Sequence, residues 1–395
     1  MIAVFLIGAG LLLFLYGYRY ARTWPRALTV RVSFSRPHIF QGEQCELTEE
    51  IENRKRQAVP LTEIGFRLPR GVAFVDAENI QKSDYVYKRD LFAVEGMERI
   101  VRRYRVEGIK RGYYCPDQLS IHAPSLLFRG DYILDEPDVG SLSGMYVYAR
   151  QVDLRPVLRV LDSLLGERES ARRLYEDPFV FSSIRQYTPQ DPMKAVNWKA
   201  TARTGELMVN TFASVTSLDL SIFLDVSMDE NIPFSEDLRE LALCAAASLA
   251  RNLASRQEAV KFYVNIAAKD RGYTSFTIGR SADALTQLEE FLASDFEKIN
   301  KITFSDLIEK SSEESRGRQT DRVCVFFSAF DTPALRNSML ALLSGQQSGL
   351  FVTAVRSAQG RRMEQQENLY ILPYADTPRS ASPGSFAGAD SVPPA

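Results

Sequence analysis

The first eighteen residues, MIAVFLIGAGLLLFLYGY, contain no charged side chain. A helix rises about 1.5 Å per residue, so this run spans about 27 Å, the thickness of a bilayer core. A cleavable signal peptide would carry a basic start and a small-x-small site, and neither is present. A buried core helix would be amphipathic, whereas this run is apolar all round. Arg19, Arg22, Arg26, Arg31 and Arg36 follow it, and no acidic residue appears before Glu43. The expectation is a single-pass transmembrane helix over 1–18, with the remaining domains held in the cytoplasm by the positive-inside rule. Tyr16, Tyr18, Tyr20 and Trp24 would line the lipid interface, making membrane lipid a partner.

A chain of 395 residues is too long for one ordinary core, and its patterning changes along its length. From 27 to 150, period-two alternation (LTVRVSF, CELTEEIEN) between turn signals predicts an all-β, immunoglobulin-like sandwich. Residues 151–184 read as a helical connector with apolar side chains at i, i+3 and i+4. Over 211–373, near-continuous apolar strands such as LDLSIFLDV and DRVCVFFSAF alternate with helices, predicting a mainly parallel sheet covered on both faces. The tail 374–395 is rich in Pro, Gly, Ser and Ala, a disordered composition.

Composition narrows the chemistry. A formal net charge of -2 gives no basic field for nucleic acid. The cluster Arg99, Arg102, Arg103, Arg105, Lys110 and Arg111 is interleaved with Glu98, Glu107 and Asp117, and reads as a solvated strand face. Two histidines, His38 and His122, leave little for a metalloenzyme or a histidine relay. Cys45, Cys115, Cys244 and Cys324 form no C-x-x-C pair, which excludes a zinc ribbon or thioredoxin motif. No phosphate-binding glycine loop, G-x-S-x-G or H-E-x-x-H occurs, so the chain reads as non-enzymatic.

In an open parallel sheet, ligands sit beyond the carboxyl ends of the strands. The first apolar strand of the third region ends Asp225-Val226-Ser227-Met228-Asp229. This resembles the D-x-S-x-S of the metal-ion-dependent adhesion site of von Willebrand A domains, where a carboxylate and hydroxyls hold Mg²⁺ through oxygen. Asp229 stands where the second serine would be. Ala329 follows Ser328 where an aspartate is usual. The expectation is a degenerate site at Asp225, Ser227 and Asp229, with no cofactor or at most weakly held Mg²⁺. The alternative is that Asp225 and Ser227 merely cap the following loop.

Residues 185–210 read RQYTPQDPMKAVNWKATARTGELMVN. The spacing predicts a turn over Thr188–Pro192, a short helix around Val196–Ala202 ended by Gly205, and a strand. Trp198 lies among Arg185, Lys194, Lys199 and Arg203, a setting for cation–π packing inside the fold or at an interface.

This segment resembles the signature of domain-of-unknown-function family 58, similar to R-x-Y-x-x-G-D-x-x-x-x-I-N-W-K-x-(T/S)-A-R-x-(G/R)-x-L. Arg185, Tyr187, Asp191, Asn197, Trp198, Lys199, Ala202, Arg203, Gly205 and Leu207 match it in order. Gln190 stands where glycine is common, and Val196 replaces isoleucine. The resemblance extends to an R-G-x-Y element, Arg111–Tyr114, in the sandwich region. It implies three parts: a membrane anchor, a sandwich and a von Willebrand A-like, Rossmann-like α/β domain. It also implies a bacterial membrane protein partnering a MoxR-type AAA+ ATPase as an adaptor or assembly factor. Arg185, Tyr187, Asp191, Asn197, Trp198, Lys199 and Arg203 are its candidate partner surface, with a buried Trp-centred cluster as the rival reading. The competing function is a metal-dependent ligand-binding or adhesion module.

Overall fold

A computed structural model describes residues 2–24, 27–75, 80–82, 85–124, 131–134, 140–174, 181–189, 191–212, 218–228, 235–268, 272–279, 282–297, 299–315, 321–330, 332–343, 348–356 and 369–374. The chain forms two compact units: Met1–Gln151 with Thr286–Glu297, and Val152–Leu285 with Lys298–Ala395.

The first unit begins with helix α1 (Ile2–Thr23). The expected membrane span is corrected here: among the described residues, no helix is long and apolar enough to cross a membrane. The side chains around Phe5, Ile7 and Leu12 are exposed, and Gly8, Gly10 and Gly17 dilute the apolar run. The aromatic belt is corrected at two of its four residues. Tyr20 and Trp24 are buried in the core that the following strands build. Trp24 N–H donates to Tyr20 O at 2.9 Å, Lys55 Nζ donates to Trp24 O, and Gln57 Nε2 donates to the Tyr16 hydroxyl at 3.2 Å. Tyr20 and Trp24 are thus packed against protein, while Tyr16 and Tyr18 remain exposed.

Thirteen strands follow: β1 (Leu28–Phe34), β2 (His38–Phe40), β3 (Gln44–Asn53), β4 (Val59–Pro69), β5 (Val72–Phe74), β6 (Ile80–Lys82), β7 (Tyr85–Val94), β8 (Arg99–Gly108), β9 (Gly112–Tyr114), β10 (Asp117–Pro124), β11 (Asp131–Leu134), β12 (Gly140–Leu142) and β13 (Met145–Tyr148). They form sheets β12-β1-β3-β8-β5 and β11-β10-β4-β7-β6, with a small sheet β2-β13-β9. Alternate residues Val30, Val32, Leu47 and Ile51 of one sheet and Ile64, Phe66, Leu68 and Phe92 of the other bury into one apolar core, as the period-two pleat requires.

A polar seam runs through that core. Glu49, Lys88 and Asp90 are buried, with Lys88 Nζ 2.7 Å from Asp90 Oδ1. The Tyr104 hydroxyl reaches Asp90 Oδ2 and Glu49 Oε2, the latter at 3.0 Å. Glu49 Oε1 is buried with no hydrogen-bond partner among the described residues. Burial pushes the Glu49 carboxyl up to about 7, against the smaller opposing pull of the Tyr104 hydroxyl. Burial works the same way on Asp90, but the hydrogen bonds from Lys88 and Tyr104 and the nearby cations outweigh it and hold that carboxyl below its ordinary range.

The R-G-x-Y element has a packing role. Arg111 is buried. Its Nη1 donates to Leu292 O and to Ser294 O at 2.8 Å, and its guanidinium lies 4.9 Å from the Phe296 ring centre. It thereby satisfies carbonyls at the end of a helix, which the helix itself leaves without partners. The Tyr114 hydroxyl packs so closely on Gly71 that a Cβ there would overlap it.

The second unit holds α2 (Arg155–Leu174), β14 (Phe181–Gln186), α3 (Trp198–Thr204), β15 (Met208–Phe212), β16 (Leu218–Leu224), α4 (Ser235–Ser255), β17 (Val260–Val264) and β18 (Thr274–Ile278). Helix α5 (Ala282–Leu292) follows, its larger part belonging to the first unit. The second unit then resumes with α6 (Phe304–Ser315), β19 (Asp321–Ser328), α7 (Pro333–Leu342), β20 (Ser348–Arg356) and β21 (Leu369–Tyr374). The connector predicted as helix through 184 is helical in α2 but ends in a strand, since Ser183 and Ile184 pair with Thr211 and Asn210. The large sheet runs β18-β17-β16-β19-β20-β21. All its pairs are parallel except the antiparallel edge pair β17–β18. Phe223 stacks between Tyr263 and Phe326, with ring centres 4.8 and 5.0 Å away. Leu307, Ile308, Leu335 and Met339 from α6 and α7 belong to the same cluster.

The expected architecture of one membrane helix, one immunoglobulin-like sandwich and one von Willebrand A-like domain therefore gives way to a β-rich chain of five sheets among the described residues. The β14–β15 hairpin is a sheet of its own. The first helix is drawn into protein packing at its end.

Candidate functional site

The matched signature lies on the β14–β15 hairpin, and its residues divide by what they touch. Arg185 Nη1 and Nη2 meet Asp191 Oδ2 and Oδ1 at 2.7 and 2.5 Å. Asp191 also accepts from Thr188 N–H at 2.8 Å and the Thr188 hydroxyl at 2.9 Å. The Arg185 hydrogen bond, and then the Thr188 N–H, hold the Asp191 carboxyl well below the usual carboxylate range. The turn between the strands is thus closed by a two-pronged, charge-assisted contact.

The next layer fixes the short helix. Asn197 is its N-cap, its Oδ1 accepting from Ala200 N–H at 3.0 Å. Its Nδ2 donates to Asn210 Oδ1 at 2.7 Å, and its N–H donates to Met208 O at 2.8 Å. The Thr201 hydroxyl accepts from Met208 N–H at 3.0 Å. Gly205 ends the helix in the left-handed region, with φ 77°. Tyr187 is half-buried, and its N–H donates to Leu207 O at 2.8 Å. Val196, expected as the first helical residue, instead bridges to Val209 on the neighbouring strand. Thr188 and Asn210 do as much of this work as the signature residues, and no local sequence motif singled them out, whereas Thr201 stands at the (T/S) position of the signature.

The remaining signature residues point away from this frame. Trp198 is 63% exposed, so the structure does not place it in a buried cluster. Lys199, Ala202 and Arg203 are exposed on α3, and Met193 and Lys194 are exposed in the turn before it. Lys194, Lys199 and Arg203 make no ion pair among the described residues.

The second candidate lies at the carboxyl ends of β16, β17 and β19. Asp225 is buried. Its Oδ1 accepts from Ser227 N–H at 3.0 Å and Asn265 Nδ2 at 2.8 Å, and its Oδ2 accepts from the Ser328 hydroxyl at 2.9 Å. Asn265 Nδ2 also lies 2.9 Å from Ser227 Oγ, and Asn265 Oδ1 accepts from Val226 N–H at 2.8 Å. The structure brings Asp225 and Ser227 together; Asp229 lies outside the described residues. Asn265 was missed in the sequence. It stands forty positions from Asp225 and meets it because β16 and β17 are paired in parallel. Ala329 is buried and supplies no ligand. Among the described residues, no group of three or more His, Cys, Asp or Glu gathers as metal ligands.

Comparison with known proteins bears on the hairpin and the large sheet. Residues 183–346 match the family model described as "Protein of unknown function DUF58". No curated protein matches the chain. Among solved structures, the chain is similar to the CARDB domain of a Pyrococcus furiosus protein, at 13% identity over 30% of this chain and 91% of that one, with a TM-score of 0.20. It is also similar to a non-cellulosomal cohesin from Archaeoglobus fulgidus, at 12% identity over 33% and 96%, TM-score 0.20. Spo0M, a sporulation control protein from Bacillus subtilis, matches at 13% identity over 41% and 58%, TM-score 0.19.

Proposed function

We propose that this chain is a non-enzymatic adaptor or assembly protein that docks a partner through the β14–β15 hairpin. The observation that carries this reading is Trp198, 63% exposed on a helix whose two ends are capped and whose flanking turn is clamped. Exposing a large aromatic ring on a rigid, pre-organised element leaves little conformational cost to binding. The buried carboxylate at the strand ends, Asp225, is engaged by the neutral donors Asn265 and Ser328. The resemblance to domain-of-unknown-function family 58 makes a MoxR-type AAA+ ATPase the partner of choice, and a bacterial cytoplasmic working compartment belongs to the same reading. The four cysteines are free, in keeping with a reducing compartment.

The test is calorimetry of the full chain with a MoxR-type ATPase, with and without nucleotide. A nucleotide-dependent complex is expected, and Trp198→Ala weakens it by about tenfold or more, as for an interface hot spot. Absence of a complex in every nucleotide state overturns the ATPase assignment. An undiminished complex with Trp198→Ala overturns the hairpin as its docking surface.

A further inference from the structure

We infer that the surface received by this hairpin is acidic: a protein segment that carries carboxylates around an apolar side chain. The inference deepens the docking role proposed above and rests on it. Of the hairpin's anions, Asp191 is paired with Arg185, and Glu206 accepts from the neutral Gln186 amide at 2.7 Å, so cations remain in excess. Three of the hairpin's cations have no such pairing among the described residues. Lys194, Lys199 and Arg203 are exposed and have no carboxylate partner among the described residues. Lys199 and Arg203 stand four apart on α3, the spacing that puts two side chains on one face. Trp198 and Met193 supply exposed apolar area on the same hairpin, at 63% and 55%.

Lys199 and Arg203 lie one and five positions on from Trp198 along α3, on a face turned from the ring, so a partner that reaches from Trp198 across α3 removes water from these cations too. A neutral or basic partner would leave them buried and unpaired, which is strongly unfavourable. Carboxylates on the partner compensate that loss, steer the encounter and fix the register. Nucleic acid fits less well. Its recognition takes a basic track with several stacking rings, whereas this hairpin has a single exposed Trp on a chain of net charge -2.

The test uses the full chain and a short peptide of alternating Glu and Leu, with a Lys/Leu peptide and a single-stranded oligonucleotide alongside. Trp24 is buried, so iodide quenching reports selectively on Trp198. The Glu/Leu peptide is expected to protect Trp198 from iodide. Added salt should weaken the binding, and Lys199→Glu/Arg203→Glu should weaken it by about tenfold. Lys194→Glu, outside the helix, gives an independent reading should the double variant unfold. Equal protection by the Lys/Leu peptide or the oligonucleotide, or Glu/Leu binding indifferent to charge reversal in folded variants, overturns the inference. If a MoxR-type ATPase binds the wild-type and charge-reversed chains equally, the inference falls and the ATPase reading stands. If the Glu/Leu peptide binds as expected and no ATPase does, the inference stands and the ATPase reading falls.

Discussion

Arg185 and Asp191 close the turn of the signature hairpin on itself, their nitrogen–oxygen contacts being 2.7 and 2.5 Å. The pair is exposed on the arginine side, and such pairs contribute little to global stability. Its role is local order. Asp191 is also the acceptor for the Thr188 N–H, so removing the clamp frees that amide. Arg185→Ala should leave the melting temperature nearly unchanged. Hydrogen exchange at Thr188 should accelerate by on the order of tenfold, as for a locally opened turn. A large fall in melting temperature with unchanged Thr188 exchange would show that the pair supports the fold instead.

Trp198 gives the second prediction. A core tryptophan truncated to alanine costs about 3–5 kcal/mol. Trp198 is 63% exposed, so Trp198→Ala should change unfolding free energy by no more than about 0.5 kcal/mol, as for ordinary surface positions. Urea titration followed by circular dichroism checks this. A loss in the core range would mean that the ring is packed in solution.

The third prediction concerns pH. Glu49 is buried in the sandwich, and its carboxyl is raised from near 4.5 to about 7. The sign follows from linkage. Below about 4.5 both folded and unfolded chains carry the proton, and the group costs nothing. As pH rises towards 7 the unfolded chain releases its proton while the folded chain retains it, so stability falls; above 7 the full penalty is in place. A shift of this size corresponds to roughly 3 kcal/mol. Glu49→Gln removes the titrating group, and the variant should be more stable than wild type at pH 8 and indistinguishable from it near pH 4.5. Urea midpoints across that window test it, and parallel profiles for the two proteins would sink the assignment.

Part of this was legible in the sequence, for reasons that particular residues make plain. The alternation of LTVRVSF appears as alternating burial along β1, because the pleat sends neighbours to opposite faces. The same parity placed Glu49 inward with Cys45, Leu47 and Ile51, a signal hidden by the run of glutamates around it. Asn197 was legible as part of the signature but not as a cap, and the helix consequently starts at Trp198. The exposure of Trp198 was not legible, since hydrophobicity alone argues for a core. The apolar opening run argued for a bilayer, but Tyr20 and Trp24 find partners in the sandwich core. Long-range partners such as Asn265 depend on which strands become neighbours, and strand pairing leaves no mark in the local sequence.

The last prediction concerns the strand-end carboxylate. Both oxygens of Asp225 are occupied, Oδ1 by Ser227 N–H and Asn265, Oδ2 by Ser328. A divalent cation would have to displace the Asn265 amide or the Ser328 hydroxyl. Among the described residues it would then find one carboxylate in place, because Ala329 offers no oxygen from its side chain. Mg²⁺ requires octahedral oxygen coordination and surrenders its water reluctantly. Affinity for the full chain should therefore be weak, with no saturation at low-micromolar Mg²⁺. Asp225→Asn keeps the shape and one acceptor oxygen, but its amide nitrogen faces a donor from Asn265 or Ser328. A buried hydrogen bond is thereby replaced by two donors facing each other. The variant should destabilise the second unit by about 1–3 kcal/mol whether or not magnesium is present. Isothermal calorimetry and melting curves with and without magnesium separate the two roles. Tight Mg²⁺ binding abolished by Asp225→Asn would make this carboxylate a metal ligand; a magnesium-independent loss of stability identifies it as the hub that ties three strand ends together.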